Sequence, residues 1–316
     1  MSSVRSPGRA PGGRGRRSSA ALVIVAMAGL AAAFQVGAIP TSAAGGAQDT
    51  GAGQDIGGGQ SLARIAAYVE GYYARAQHVM AEESVTIQPL RSDMTADGFA
   101  RRLTYEIRIE WDPTAEDGRG AAAAVRQLVR VGNRPPRPSD EPGCTDPRSV
   151  SPEPLAFLLT SRQGQFRFRP AGAARVDGRT TVRLDYTPAS APEPPVITWR
   201  DECVSVDLPG RARGRVWADP GTGAVVRLDE QVVGSVEIPV PRAQQRRGGR
   251  PTMTIDRAET SIRYGAVRFV DPDETLMLPL RVESVTVVRD SGSPRLRTTQ
   301  VFTRYRRFLT TSRVVE

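Results

Sequence analysis

The side chains able to do chemistry in this chain are few. His78 is the only histidine, Cys144 and Cys203 are the only cysteines, and every basic residue is arginine. Without lysine there is no Schiff base, no phosphate-loop lysine and no kinase-type strand lysine. One histidine and two distant cysteines cannot build a tetrahedral zinc site. No Gly-x-Ser-x-Gly, His-Glu-x-x-His or phosphate-binding loop occurs. Carboxylates remain: Glu82-Glu83 and Asp271-Pro-Asp-Glu274. Adjacent strand residues point to opposite faces, so Glu82 and Glu83 do not share acid–base work. Asp271 to Glu274 reads as a turn before it reads as a calcium loop. The expectation is a protein with no metal, no cofactor and no catalytic constellation. Glu82, Glu83, Asp271 and Asp273 are the positions an enzyme reading would rest on.

Aromatic and aliphatic residues on one face of successive strands are the other candidates: Tyr105, Ile107, Trp111, Phe166, Phe168, Trp217 and Tyr264. Such side chains build a core, and where the core is left open they line a groove for an acyl chain or an apolar peptide. His78 is expected in the last turn of a helix, as a surface or capping residue.

The N-terminus carries Arg5, Arg9, Arg14, Arg16 and Arg17, then the apolar run from Ala20 to Phe34, then Pro40 and small residues. That order is the pattern of a secretory signal peptide over residues 1–43, cut after Ala43 or Ala44. The alternative is an uncleaved anchor, since residues 20–39 have about the twenty residues that one membrane crossing needs. Either way the chain is expected in the periplasm or outside the cell. The whole chain has a net charge of +9. The leader holds five arginines and no acid, so the remainder carries 38 arginines against 34 acids, or +4. No nucleic-acid partner is expected on that balance. Membrane contact is expected only through an uncleaved leader or surface arginines. In an oxidising compartment Cys144 and Cys203 are expected to form one disulfide, tying a proline-rich loop to a strand.

Residues 44–60, rich in Gly and Ala, read as a flexible linker. Leu62, Ile65, Ala66, Val69, Tyr72, Tyr73, Ala76, Val79 and Met80 recur at three- and four-residue steps, which predicts an amphipathic helix over about 61–81. Residues 121–128 and 152–160 are each expected to supply a short helical turn. Most of the rest alternates with period two: Leu103, Tyr105, Ile107, Ile109 and Trp111 oppose Arg102, Thr104, Glu106, Arg108 and Glu110. Val216 to Arg227 is a hairpin, closed by Asp219-Pro220 and Gly223. Further strands are expected near 84–90, 165–169, 196–207, 276–288 and 297–309. Residues 133–154, with seven prolines, and the arginine-rich 239–251 are loops. The fold class is therefore mainly β (α+β). Residues 61–316 form a single domain, a curved antiparallel sheet or half-barrel with the N-terminal helix packed on it; a two-sheet sandwich is the rival.

Several stretches are similar to a family of uncharacterised exported bacterial proteins: Ala67 to Glu83, Gln127 to Arg134, Phe166-Arg-Phe168, Gly214 to Arg227, Leu278 to Ser284 and Tyr305 to Phe308. That family resembles, at a distance, the lipoprotein-carrier (LolA-like) superfamily, whose half-barrel holds acyl chains in its concave face. The resemblance covers about residues 61–310 and rests on hairpin and helix-packing motifs. It implies the half-barrel and, for function, a non-enzymatic binding module that carries or senses a lipid-like ligand. No lipid-handling arginine of the carriers matches a position here. The alternative function is a periplasmic interaction or scaffold protein that meets an envelope partner through its Pro-rich and Arg-rich loops.

Overall fold

A computed structural model describes residues 22–26, 55–76, 78–112, 121–138, 140, 144, 153–200, 203–245, 249–291 and 294–307. The elements run β1 (Leu22–Ala26), α1 (Asp55–Arg75), β2 (Val79–Pro89), β3 (Arg101–Asp112), β4 (Ala121–Val131), β5 (Phe166–Val176), β6 (Arg179–Pro188) and β7 (Val196–Arg200). They continue with β8 (Cys203–Asp207), β9 (Ala212–Ala218), β10 (Val225–Val232), β11 (Val236–Pro239), β12 (Thr252–Val270), β13 (Asp273–Arg289) and β14 (Arg295–Arg307). A 3-10 turn, Glu153–Leu158, precedes β5.

One large antiparallel sheet takes the order β4-β3-β2-β14-β13-β12-β10-β9-β6-β5, with β11 added to β12. It is curved and does not close into a barrel, as the alternation predicts. The second, smaller sheet is β1-β8-β7.

Helix α1 lies on one face of the large sheet. Ile65, Val69 and Tyr72, at helical spacing, are 2% exposed or less and pack with Leu184, Val216, Leu228 and Ile262 from four strands. Burying each is worth about 1.5–3 kcal/mol, and that packing holds the helix more than its intrinsic propensity does. Leu155, Phe157 and Leu158 of the 3-10 turn join the same cluster. A second cluster lies beneath the small sheet, where Val204 and Val206 meet Ile238, Met253, Ile255 and Val288. A third, of Val85, Ile87, Leu103 and Tyr105, occupies the β2–β3 end.

The β9–β10 hairpin also fixes the helix. The Asp219 carboxylate accepts from the backbone N–H of Thr222 at 2.7 Å and of Gly221 at 3.0 Å. Those bonds hold its pKa below the ordinary carboxylate value. The tight turn presents the Pro220 carbonyl to the Arg64 guanidinium of α1. Gly223 sits at φ +78, and a Cβ there would come within 2.7 Å of the Arg64 carbonyl carbon. Gly223→Ala is therefore expected to combine left-handed strain with a collision against helix backbone. A loss of about 3 kcal/mol in urea unfolding is the expected reading.

Cys144 and Cys203 form the expected disulfide, with Cα atoms 5.2 Å apart. Constraining a loop of this length is worth about 4 kcal/mol in the chain-entropy account.

Several local expectations are corrected. The helix spans 55–75 rather than about 61–81, so residues 55–60, read as linker, are helical. His78 lies past the helix end at φ 56, in the link to β2, because Val79 already belongs to the strand. Residues 121–128 are strand, not a helical turn. The ladder with β3 overrides the helix propensity of the alanines. Residues 196–207 divide into two short strands, and Glu82-Glu83 falls inside β2 rather than at its start. Residues 1–43, expected as a leader, lie outside the described residues apart from the backbone of β1, as do residues 44–54, expected as linker, and Arg246, Arg247 and Gly248. No helix among the described residues is long and apolar enough to cross a membrane.

Candidate functional site

The face under α1 is where sequence places a groove. Of the seven groove candidates, Tyr105, Ile107, Trp217 and Tyr264 are between 0% and 8% exposed. Ile107 and Tyr264 are in the main cluster and Tyr105 in the β2–β3 cluster. Trp217 carries the Arg227 guanidinium over its ring at 4.8 Å. Trp111 is in register with Ala122 on β3, and its side chain lies outside the described residues. Phe166 and Phe168 differ from these. They alternate on β5, the last strand of the sheet, and both are only partly buried, packed against the margin of the main cluster.

These two rings belong to an aromatic array. Phe157 from the 3-10 turn lies 5.5 Å from Phe166 and 6.2 Å from Phe168, and Tyr186 of β6 lies 4.3 Å from Phe157. Phe166–Tyr186 is edge-to-face at 5.9 Å, a favoured geometry for ring quadrupoles. The array is buried on its Tyr186 side and partly accessible on its Phe166–Phe168 side. It lies at the β5 end of the sheet.

Beneath it lies a polar pair that sequence did not single out. The Tyr186 hydroxyl donates to Glu230 Oε2 at 2.7 Å. Tyr186, Gly214 and Glu230 are in register across β6, β9 and β10. A Cβ on Gly214 would lie 2.7 Å from the Tyr186 hydroxyl, and closer still to the Asp229 carbonyl. Only glycine lets the phenol cross β9 to reach the carboxylate. Burial pushes Glu230 up to about 7, against the smaller opposing pull of the tyrosine hydrogen bond. Burial and the neighbouring carboxylate raise Tyr186 well above the ordinary phenol value.

A fully buried polar group interrupts the apolar face at the other end. Glu83 is fully buried and meets Arg126 at 2.8 Å and Gln300 at 2.6 Å. The Arg126 guanidinium stands 5.0 Å over the Tyr105 ring. Glu82, one residue away, faces outward to Arg304 at 2.9 Å and Arg130 at 3.6 Å. The two carboxylates therefore diverge, as strand geometry requires. Asp273 is held by Arg268 at 3.1 Å, and Glu274 pairs with Arg307. These carboxylates do not converge on a common point.

A groove of about 770 Å³ crosses β6, β9, β10 and β12 among charged side chains that include Arg215, Arg227, Asp229 and Glu259. Much of that charge is internally paired. Arg227 grips Asp229 at 2.7 Å, Ser261 donates to Asp229 at 2.7 Å, and Arg215 faces Asp185 at 3.4 Å.

No family model and no curated protein matches the chain. Among solved structures it is similar to a DUF1329 family protein from Desulfovibrio piger. That match has 10% identity and TM-score 0.42, over 80% of this chain and 94% of that one. It is similar to a LolA superfamily protein from Nitrosomonas europaea (10% identity, TM-score 0.33, 78% and 94% covered). It is also similar to the Pseudomonas aeruginosa MucA/MucB complex structure (12% identity, TM-score 0.20, 78% and 99% covered).

Proposed function

We propose that the protein is an exported, non-enzymatic binding module that takes an apolar, lipid-like ligand on the Phe157–Phe166–Phe168 patch. One observation carries the reading: two phenylalanines on an end strand are only partly buried, packed against the edge of the core, while Phe157 and Tyr186 beside them are sealed into it. Large apolar side chains left open together on a soluble domain mark a contact site. The leader-like N-terminus supports export, and the arginine-engaged carboxylates favour binding over acid–base chemistry. The ligand lies along the sheet end rather than in a deep cavity, since Ile107 and Tyr264 already fill the floor.

The test is native mass spectrometry of the chain purified without detergent from an exporting host, before and after exposure to phospholipid vesicles. Adducts of lipid mass that vanish on denaturation are expected. A Phe166→Ala/Phe168→Ala double variant is expected to lower lipid occupancy at least about tenfold, since each half-buried ring offers more than about 1 kcal/mol of contact. A bare protein mass after lipid exposure sinks the reading. The second reading, an interaction domain, draws on β4, an end strand with Val125 59% and Val129 43% exposed.

A further inference from the structure

The small sheet holds a feature that the apolar patch does not use. β7 and β8 alone make a two-stranded ribbon, which is marginal in water without further cover. Its inner side is anchored, since Val204 and Val206 are both 0% exposed in the cluster above β11, β12 and β13. Its outer edge, the backbone of Cys203–Asp207, presents a row of peptide groups that need a partner. In the full chain β1 supplies it. The five residues Leu22–Ala26 run parallel to β8, with Leu22 in register with Cys203, Val23 with Val204, Ile24 with Ser205, Val25 with Val206 and Ala26 with Asp207.

The edge is also unguarded. End strands commonly carry proline, bulges or basic side chains that block further pairing. β5 has all three: Pro170, a register shift between Pro170 and Ala173, and Arg167, Arg169 and Arg175. β8 reads Cys-Val-Ser-Val-Asp, without proline or arginine, and its one bulky constraint is the disulfide at its first residue. A short, rigidly backed, unblocked edge with an apolar strand already in register is the geometry of strand addition. Main-chain hydrogen bonds supply affinity there, and alternate side-chain positions supply selectivity.

We infer that the outer edge of β8 is a strand-accepting site for an extended apolar segment of a partner protein, running parallel to β8 and filled by Leu22–Ala26 while the N-terminal segment is attached. The inference rests on the leader reading only for the step that frees the edge. Cleavage after Ala43 or Ala44 removes β1 and leaves Cys203–Asp207 open. A fitting segment has about five residues, uncharged and rich in β-branched side chains, as Leu-Val-Ile-Val-Ala is. The site then couples processing to recognition, since the unprocessed chain blocks its own edge.

The experiment has two arms. In the intact chain, retained in a cytoplasmic host, amide hydrogen exchange of residues 203–207 is compared with that of an Ile24→Pro variant. Proline removes a ladder donor and breaks the strand, so the β8 amides that point away from β7 are expected to exchange about a hundredfold faster, with α1 unchanged. Equal exchange in the two chains overturns the proposal. In the second arm the chain from an exporting host is sequenced at its N-terminus and titrated with a soluble peptide spanning residues 20–28. Saturable binding that protects residues 203–207, and that the proline-containing peptide does not reproduce, supports the site. Binding without that protection, or equal binding of both peptides, overturns it. An N-terminus found at Met1 refutes cleavage but not the edge, which the first arm still decides.

Discussion

Removing the Glu83 carboxylate is expected to cost about 3–5 kcal/mol of folding stability. The Glu83→Ala variant leaves the Arg126 guanidinium, 13% exposed, without its carboxylate partner at 2.8 Å. It also strips Gln300, 3% exposed, of the acceptor at 2.6 Å. The cost comes from what is left behind. A buried ion pair contributes little net stability, but half of one is an uncompensated charge in a poorly solvated place. A second variant separates these accounts. Replacing all three groups, as Glu83→Leu, Arg126→Met and Gln300→Leu, takes away the charge and both orphaned partners. It is expected to recover most of the loss in the same urea-unfolding measurement. A Glu83→Ala cost below about 1 kcal/mol would mean that water reaches the carboxylate.

The second large effect is pH-dependent and belongs to Glu230. Burial raises its carboxyl from the ordinary 4.5 to about 7 in the folded chain. The folded state then binds a proton that the unfolded chain releases at lower pH. The stabilisation this brings is fully present below pH 4.5, declines between 4.5 and 7, and is lost above 7. At 1.36 kcal/mol for each pH unit, the window is worth about 3 kcal/mol. Glu230→Gln keeps an acceptor for the Tyr186 hydroxyl and removes the titration. The variant is expected to flatten the stability profile across this window, and to exceed the parent by about 3 kcal/mol near pH 8. Urea midpoints at about pH 5 and about pH 8 decide it. Equal slopes for parent and variant would place the titrating group elsewhere.

Much of the architecture was legible because several strands carry charge on one face. Leu103, Tyr105 and Ile107 against Arg102, Thr104 and Glu106 announce a half-wet strand, and the helix from Leu62 to Tyr73 announces itself by spacing. β4 was not legible. Four consecutive alanines carry no alternation and favour a helix, and only the ladder to β3 makes them a strand. The helix start was missed because Asp55 to Gln60 is glycine-rich and reads as linker, although the chain is already helical there. The disulfide followed from cysteine count and compartment alone.

The site was legible in part. Phe166 and Phe168 were named, but nothing local distinguishes them from Ile107 or Tyr264; the difference is that β5 ends the sheet and the other two sit on interior strands. The polar pairs were invisible for the same reason. Glu83, Arg126 and Gln300 meet only because β4, β3, β2 and β14 lie in that order, with Arg126 reaching across β3 over the Tyr105 ring, and Tyr186 reaches Glu230 only because Gly214 stands between them. The one local hint was Gly214 itself, an isolated glycine in a strand pattern, which often marks a close approach.

The placing of β14 beside β2 has a consequence for the order of events in time. Thr299 is in register with Thr86, and the hydrogen bond from Gln300 to Glu83 spans 217 positions. Synthesis delivers the N-terminal meander β2–β4 early, yet β2, paired with β3 on one side, lacks its second neighbour until the thirteen residues of β14 arrive. Contacts this distant in sequence form slowly. A growing chain therefore holds two unjoined halves, each short of its final cover, and is bound into one sheet by its last strand. Until β14 pairs, the buried Glu83–Gln300 contact cannot form and neither half of the sheet has its final neighbour.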